Sequence, residues 1–175
     1  MGKKVIFLDI DGVLNNFKTP CDVIVEHHDL IQGVDTRKVK RLAKIVEATG
    51  ASIILSSDWR YGWYADGEGN WMHANYLNKK FAKENLIIEE KTPYNPITCE
   101  RGPEIHQYLQ EHPEVTDWVI LEDTDWDSFY EYPDVMRHWV HTDGRIGLTE
   151  KDAAAAISIL EGNLLDWDPV QRFAW

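Results

Sequence analysis

Two aspartates two residues apart, Asp9 and Asp11, close the apolar run Val5-Ile-Phe-Leu8 and are followed at once by Gly12. In extended chain, side chains at i and i+2 point to the same side, so both carboxylates can approach one centre. Such a pair raises its own pKa values by repulsion, and a divalent cation relieves that. Gly12 permits a sharp departure from the strand. A solvated loop can carry the same Asp-x-Asp-Gly pattern, but the buried run before it and Val13-Leu-Asn15 after it argue for a built site. Further polar residues close other apolar runs. Ser56 and Ser57 follow Ala51 to Leu55, and Glu122 and Asp123 follow Trp118 to Leu121, with Asp127 slightly later.

The elements that must position these groups alternate between strand and helix. Val5–Leu8, Ala51–Leu55 and Trp118–Leu121 are continuous apolar runs without period-2 alternation, which suits strands buried on both faces of a parallel sheet. Short strands are expected at Leu86–Ile88 and Arg137–Val140. Between them the sequence predicts four helices. The first is capped by Asp35 or Thr36 and stopped by Gly50; the second runs from Ala74 to Glu84. The third runs from Pro103 to about Gln110, and the last from Lys151 to Leu160 behind a Thr149/Asp152 capping box. Residues 15–34 are expected as a long loop or small excursion, Trp59 to Trp71 as a surface loop, Thr92 to Thr98 as loop. The pattern is βαβ. It predicts one three-layer, doubly wound, Rossmann-like α/β domain over residues 1–175, with a central parallel sheet in order 3-2-1-4-5. Ligands in such sheets gather at the carboxyl ends of the strands. Those ends are where the acids and hydroxyls lie.

Composition narrows the partners. The chain has 175 residues, 30 Asp and Glu against 18 Lys and Arg, and a net charge of −12, which argues against a broad basic track for long duplex DNA. A small or locally held anion stays open, because one metal ion reverses the local field. No apolar run approaches a membrane span. Two cysteines, Cys21 and Cys99, make no disulfide framework, and with no signal-peptide pattern the expectation is a cytoplasmic protein. The histidines His27, His28, His106, His112, His138 and His141 show no ligand spacing with the acids, so packing or surface roles are expected. Of the eight tryptophans, Trp118 and Trp139 fit buried strands. Trp59, Trp63, Tyr64 and Trp71 cluster after the second strand, where they can flank a base or sugar.

Phe7-Leu-Asp-Ile-Asp-Gly-Val-Leu-Asn15 resembles the first motif of the haloacid dehalogenase-like (HAD) superfamily. Ile54-Leu-Ser56 resembles its second, Arg101 occupies the place of its third, and Val119-Ile-Leu-Glu-Asp-Thr-Asp-Trp-Asp127 resembles its fourth. Together they span about Val5 to Asp127. The Ser-Ser-x-Trp-Arg style further resembles the small HAD domains of Swiss Army Knife RNA repair proteins. The resemblance implies a phosphatase with Asp9 as nucleophile, Asp11 as general acid and base, and Ser56 and Arg101 holding the phosphoryl group. It implies Mg²⁺ held by Asp9, the main-chain carbonyl of Asp11 and Asp123, with Asp127 as a further or outer ligand and Glu122 orienting the shell. Gly12, Ser57 and Arg60 complete the expected substrate contacts. Two alternatives stay open: Ser57 in place of Ser56, and Lys91 in place of Arg101. Arg60 is equally placed to pair with Asp58.

The resemblance further implies phosphoryl transfer rather than dehalogenation, because dehalogenases of the superfamily lack an acid at the position of Asp11. The short first insertion implies a minimal or absent cap, and so an open site suited to a phosphorylated small molecule or the terminus of a nucleic acid. A catalytically silent domain with the same fold, a broad small-molecule phosphatase and a phosphate-receiver domain are the competing readings.

Overall fold

The computed structural model describes residues 2–24, 29–97 and 99–166, and the side chains of 23, 24, 29, 30 and 127 fall outside that description. The expectations for His27, His28, Thr98 and the tail from Trp167 lie outside the described residues. Among the described residues seven strands and five helices follow in order. They are β1 (Lys3–Leu8), β2 (Cys21–Ile24), β3 (Asp29–Gln32), α1 (Thr36–Thr49), β4 (Ser52–Leu55), α2 (Met72–Ala82), β5 (Ile88–Lys91), α3 (Arg101–Glu111), β6 (Val115–Glu122), α4 (Pro133–His138), β7 (Trp139–His141) and α5 (Glu150–Leu160). Two 3₁₀ turns, Asp58–Arg60 and Asp127–Glu131, interrupt the loops after β4 and β6.

Five strands form one sheet in the order β5-β4-β1-β6-β7, every neighbouring pair parallel. Counted along this sheet alone, that is the expected 3-2-1-4-5, with β1 at the centre. Alternation divides the strand side chains between two cores. Ile6, Leu8, Ile53, Leu55, Val119 and Leu121 pack with α1, α2 and α5 on one face. Val5, Phe7, Ile54, Trp118 and Ile120 pack with Ile105, Tyr108, Phe129 and Val135 on the other. A strand apolar on both faces belongs in the middle of three layers, which is why the runs carry no period-2 signal.

The caps fall where the sequence puts them. Asp35 accepts from the backbone N–H of Arg37, Gly50 closes α1 in the left-handed region, and Thr149 and Asp152 form the reciprocal box at α5. Four local expectations need correcting. The short strand expected at Leu86–Ile88 runs instead over Ile88–Lys91. The strands Cys21–Ile24 and Asp29–Gln32 make an antiparallel hairpin in the stretch expected as a long loop or small excursion. Asp22 of that hairpin accepts from the Tyr76 hydroxyl at 2.5 Å and pairs with Lys80 at 2.7 Å, which docks it on α2. The segment from Trp59 to Trp71 is not wholly surface loop, because Trp59 and Trp63 are buried against the helical core. Residues 137–138 end a helix begun by Pro133 at its first turn, so the last strand is only Trp139–His141. Among the described residues no helix is long and apolar enough to cross a membrane.

Candidate active site

The sheet brings its polar strand ends together. Leu8 is in register with Leu55 on one side and Leu121 on the other. Asp9 N–H then donates to Leu121 O at 3.0 Å and Ser56 N–H to Leu8 O at 2.8 Å, so the ladder runs into the site on both flanks of β1. Asp9, Glu122 and Asp123 each offer a carboxylate oxygen, and these oxygens lie within 4.8 Å of one another. Asp9 and Glu122 are buried, while Asp123 is half-buried.

Gly12 makes this approach possible. Its φ is +75°, and a Cβ there would stand 2.1 Å from the Asp123 carboxylate. No other residue satisfies both the backbone and the space. Gly144 faces the same carboxylate from the far side, with only 2.2 Å available for a Cβ. Thr142 ties the ensemble by donating its hydroxyl to Gly12 O at 3.2 Å.

Arg101 supplies the opposing charge. It opens α3, and Gly102 beside it allows the first turn to press on Ser128, whose hydroxyl accepts from Gly102 N–H at 3.2 Å. The guanidinium is buried, 2.8 Å from Asp58, 3.2 Å from Glu104 and 3.9 Å from Glu122. Its Nε donates to no group among the described residues. Burial works against its charge, but Asp58, Asp9 and Glu122 more than offset that, and the pKa rises.

The acids show the opposite imbalance. Burial and then the neighbouring Glu122 push the Asp9 carboxyl well above its ordinary range, against the opposing hydrogen bond of Ser57 and the charge of Arg101. Burial likewise lifts Glu122 from 4.5 to about 7, and raises Asp123. One arginine therefore leaves the cluster short of positive charge. The donors are all carboxylate oxygens, and a glycine-lined cradle flanks one of them. That is the environment a hard divalent cation fits.

Other expected residues are placed as follows. Asp11 is exposed and receives two donors, Asn15 Nδ2 at 2.7 Å and the Trp59 indole Nε1 at 2.9 Å. Both serines are buried beside Asp9. Because β4 ends at Leu55, strand alternation no longer decides between them; of the two, it is Ser57 whose side chain acts to lower the Asp9 pKa. Lys91 is turned away, donating to the carbonyls of Arg60 at 3.2 Å and Trp63 at 2.6 Å. The structure does not bring Arg60 to the cluster. Arg60 is buried and pairs with Glu104 at 2.9 Å, while Asp58 takes Arg101 instead. The Asp127 backbone opens the 3₁₀ turn after β6, and its side chain is outside the described residues.

One contributor, expected only to orient the shell, stands closer in, and another escaped the sequence reading. Glu122 stands inside the carboxylate cluster rather than merely behind it. Glu104, fully buried, bridges Arg60 and Arg101 and also accepts from Asn95 N–H at 3.1 Å. An acid on the inner face of a helix otherwise packed by Ile105 and Tyr108 was the available signal.

Exposed rings stand in the loops that follow β4 and β5. Tyr61 meets Tyr94 edge-on at 5.1 Å, Lys91 lies 4.8 Å over Tyr64, and Trp71 meets His73 edge-on at 5.9 Å. Comparison with protein families matches residues 5–153 to the HAD domain in Swiss Army Knife RNA repair proteins. No curated protein and no solved structure matches the chain.

Proposed function

The chain belongs to the family of HAD domains in Swiss Army Knife RNA repair proteins, and from that premise we propose that it is a Mg²⁺-dependent phosphatase acting through Asp9. The observation that carries the reading is the buried Asp9 carboxylate, clustered with Glu122 and Asp123 and faced by the buried Arg101. Asp9 attacks phosphorus, an aspartyl-phosphate forms, and the bond to the leaving oxygen breaks. Asp11 gives that oxygen its proton and later takes one from the water that releases phosphate. Arg101 neutralises the phosphoryl oxygens, and Ser57 donates to one of them in preference to Ser56. Mg²⁺, held by Asp9, Asp123 and the main-chain carbonyl of Asp11, with Asp127 as an outer partner, would supply the positive charge that one arginine does not.

The substrate reading is a phosphate at the end of a nucleotide or nucleic-acid strand. Support comes from the family's RNA-repair setting and from Tyr61, Tyr64, Trp71 and Tyr94, exposed rings in the loops after β4 and β5 that offer stacking surface. Trp63, being buried, leaves that set. The small hairpin at 21–32 forms no lid of domain size, which suits a polymer end.

Phosphate release from an aryl phosphate, mononucleotides and end-phosphorylated oligonucleotides, with and without Mg²⁺, tests both parts. Release that needs Mg²⁺ supports the phosphatase. Undiminished release in excess chelator contradicts the site, and no release from any substrate makes the domain a silent binding module. Equal kcat/KM across nucleotide and non-nucleotide esters leaves a broad small-molecule phosphatase.

A further inference from the structure

We propose that Trp59 is a positioning residue for Asp11, fixing the carboxyl group that exchanges the proton with substrate and water; this rests on the phosphatase reading above. Trp59 stands in the 3₁₀ turn directly after β4, with its own N–H capped by Ser57 Oγ at 3.4 Å. Its ring is buried edge-on to His73 at 5.8 Å and tilted against Tyr76 at 6.4 Å, both on α2. Its indole N–H reaches across from the β4 side of the site to Asp11 Oδ2 at 2.9 Å. The other oxygen, Oδ1, receives Asn15 Nδ2 at 2.7 Å, and Asn15 is itself buried with its Oδ1 accepting from Gly12 N–H at 3.2 Å.

An exposed aspartate ordinarily moves among staggered rotamers. Here two donors anchored in buried side chains hold both oxygens, so the carboxyl group has one orientation. A carboxylate has about four acceptor positions, so each oxygen keeps room for a proton. The indole N–H is a donor only and cannot take that proton, which leaves it for the substrate. In the first half-reaction the electron pair of the breaking P–O bond goes to the leaving oxygen, which receives Asp11's proton as Asp9 bonds phosphorus. In the second, water bonds phosphorus, the Asp9–phosphorus bond breaks, and the proton of water returns to Asp11.

A misplaced general acid hurts poor leaving groups and spares good ones. Trp59→Phe keeps the ring and removes the donor. We expect kcat/KM for an alkyl phosphate to fall by at least about tenfold, and by no more than the about 10²–10⁴ that a positioned acid contributes in full. The loss on 4-nitrophenyl phosphate should stay within about threefold, and Trp59→Phe should add nothing on the alkyl ester in an Asp11→Asn background. Equal losses on the two esters, or additive losses in the double variant, overturn Trp59's role. A wild-type protein inactive in Mg²⁺ on both esters, on mononucleotides and on end-phosphorylated oligonucleotides overturns the phosphatase reading itself. Should Trp59→Phe fail to fold, the indole N–H resonances of the wild type and Asp11→Ala decide the matter. The Trp59 signal should move and exchange faster in Asp11→Ala, and an unmoved signal refutes the contact.

Discussion

Asp9→Asn should make the metal-free protein more stable while removing its activity. The unfolded carboxyl ionises near its ordinary 3.8, whereas burial and then Glu122 raise it well above that in the folded chain. Between those values the native state holds more protons than the unfolded one, so stability falls as pH rises through the interval and stays lowered above it. The same holds for Glu122, lifted from 4.5 to about 7. Moving one carboxyl that far costs the fold on the order of 3 kcal/mol above pH 7. Burial is the larger cause and repulsion from Glu122 the second, and neutralising Asp9 removes both, so the melting temperature at pH 8 should rise, each ~1 kcal/mol recovered counting for roughly 2–4 °C in a chain of this size. Arg101 keeps Asp58, Glu104 and Glu122 as partners, so the substitution does not orphan it. The assay is thermal melting in chelator at about pH 8 and about pH 5, where the gain should shrink because the unfolded carboxyl is then closer to protonated. Adding Mg²⁺ should stabilise the wild type and leave Asp9→Asn much less changed. An Asp9→Asn protein less stable than wild type at pH 8 in chelator, or a gain independent of pH, would refute the electrostatic account.

Asp123→Asn should raise the Mg²⁺ concentration for half-maximal phosphate release far more than Asp127→Asn, because the first removes an oxygen from the carboxylate cluster; equal shifts in a metal titration would count against this. Glu104→Ala should destabilise the protein by about 3–5 kcal/mol, since it removes the carboxylate that pairs with the buried Arg60 and takes one of three from Arg101; a smaller cost in denaturant unfolding would count against this. If nucleic-acid ends are bound by stacking, Tyr94→Ala and Trp71→Ala should each lower kcat/KM for an end-phosphorylated oligonucleotide about tenfold, with little change for an aryl phosphate. Uniform effects on both substrates would remove the stacking role.

The sheet was legible because three runs, at Val5, Ala51 and Trp118, are apolar without alternation, and each ends in acids or hydroxyls. That alone places Asp9, Ser56, Ser57 and Asp123 at one edge of the fold. Pairings made across the fold were not legible. Asp58 and Arg60 are near neighbours in the chain, yet each finds its partner on α3, through Arg101 and Glu104. The choice between Ser56 and Ser57 depends on where β4 stops, a matter of one residue that propensity does not settle. Trp59 and Trp63 read as loop aromatics because Gly and polar residues surround them, while the space they fill is made by α2. The hairpin at 21–32 was hidden by its brevity, two strands of four residues held by Tyr76 and Lys80 rather than by a hydrophobic pattern of their own.

The most direct test of the central claim is to look for the phosphoryl group on Asp9. Asp11→Asn should slow hydrolysis of the intermediate more than its formation when the ester carries a good leaving group, which needs little help from an acid. Acid quenching of this variant with 4-nitrophenyl phosphate and Mg²⁺, followed by peptide mass spectrometry, should find one phosphoryl group on the peptide containing Asp9 and none in the Asp9→Asn, Asp11→Asn double variant. Turnover by the wild type with no label ever found on Asp9, or an Asp9→Asn enzyme within about tenfold of wild-type kcat, a barrier change of only about 1.4 kcal/mol, would contradict the account.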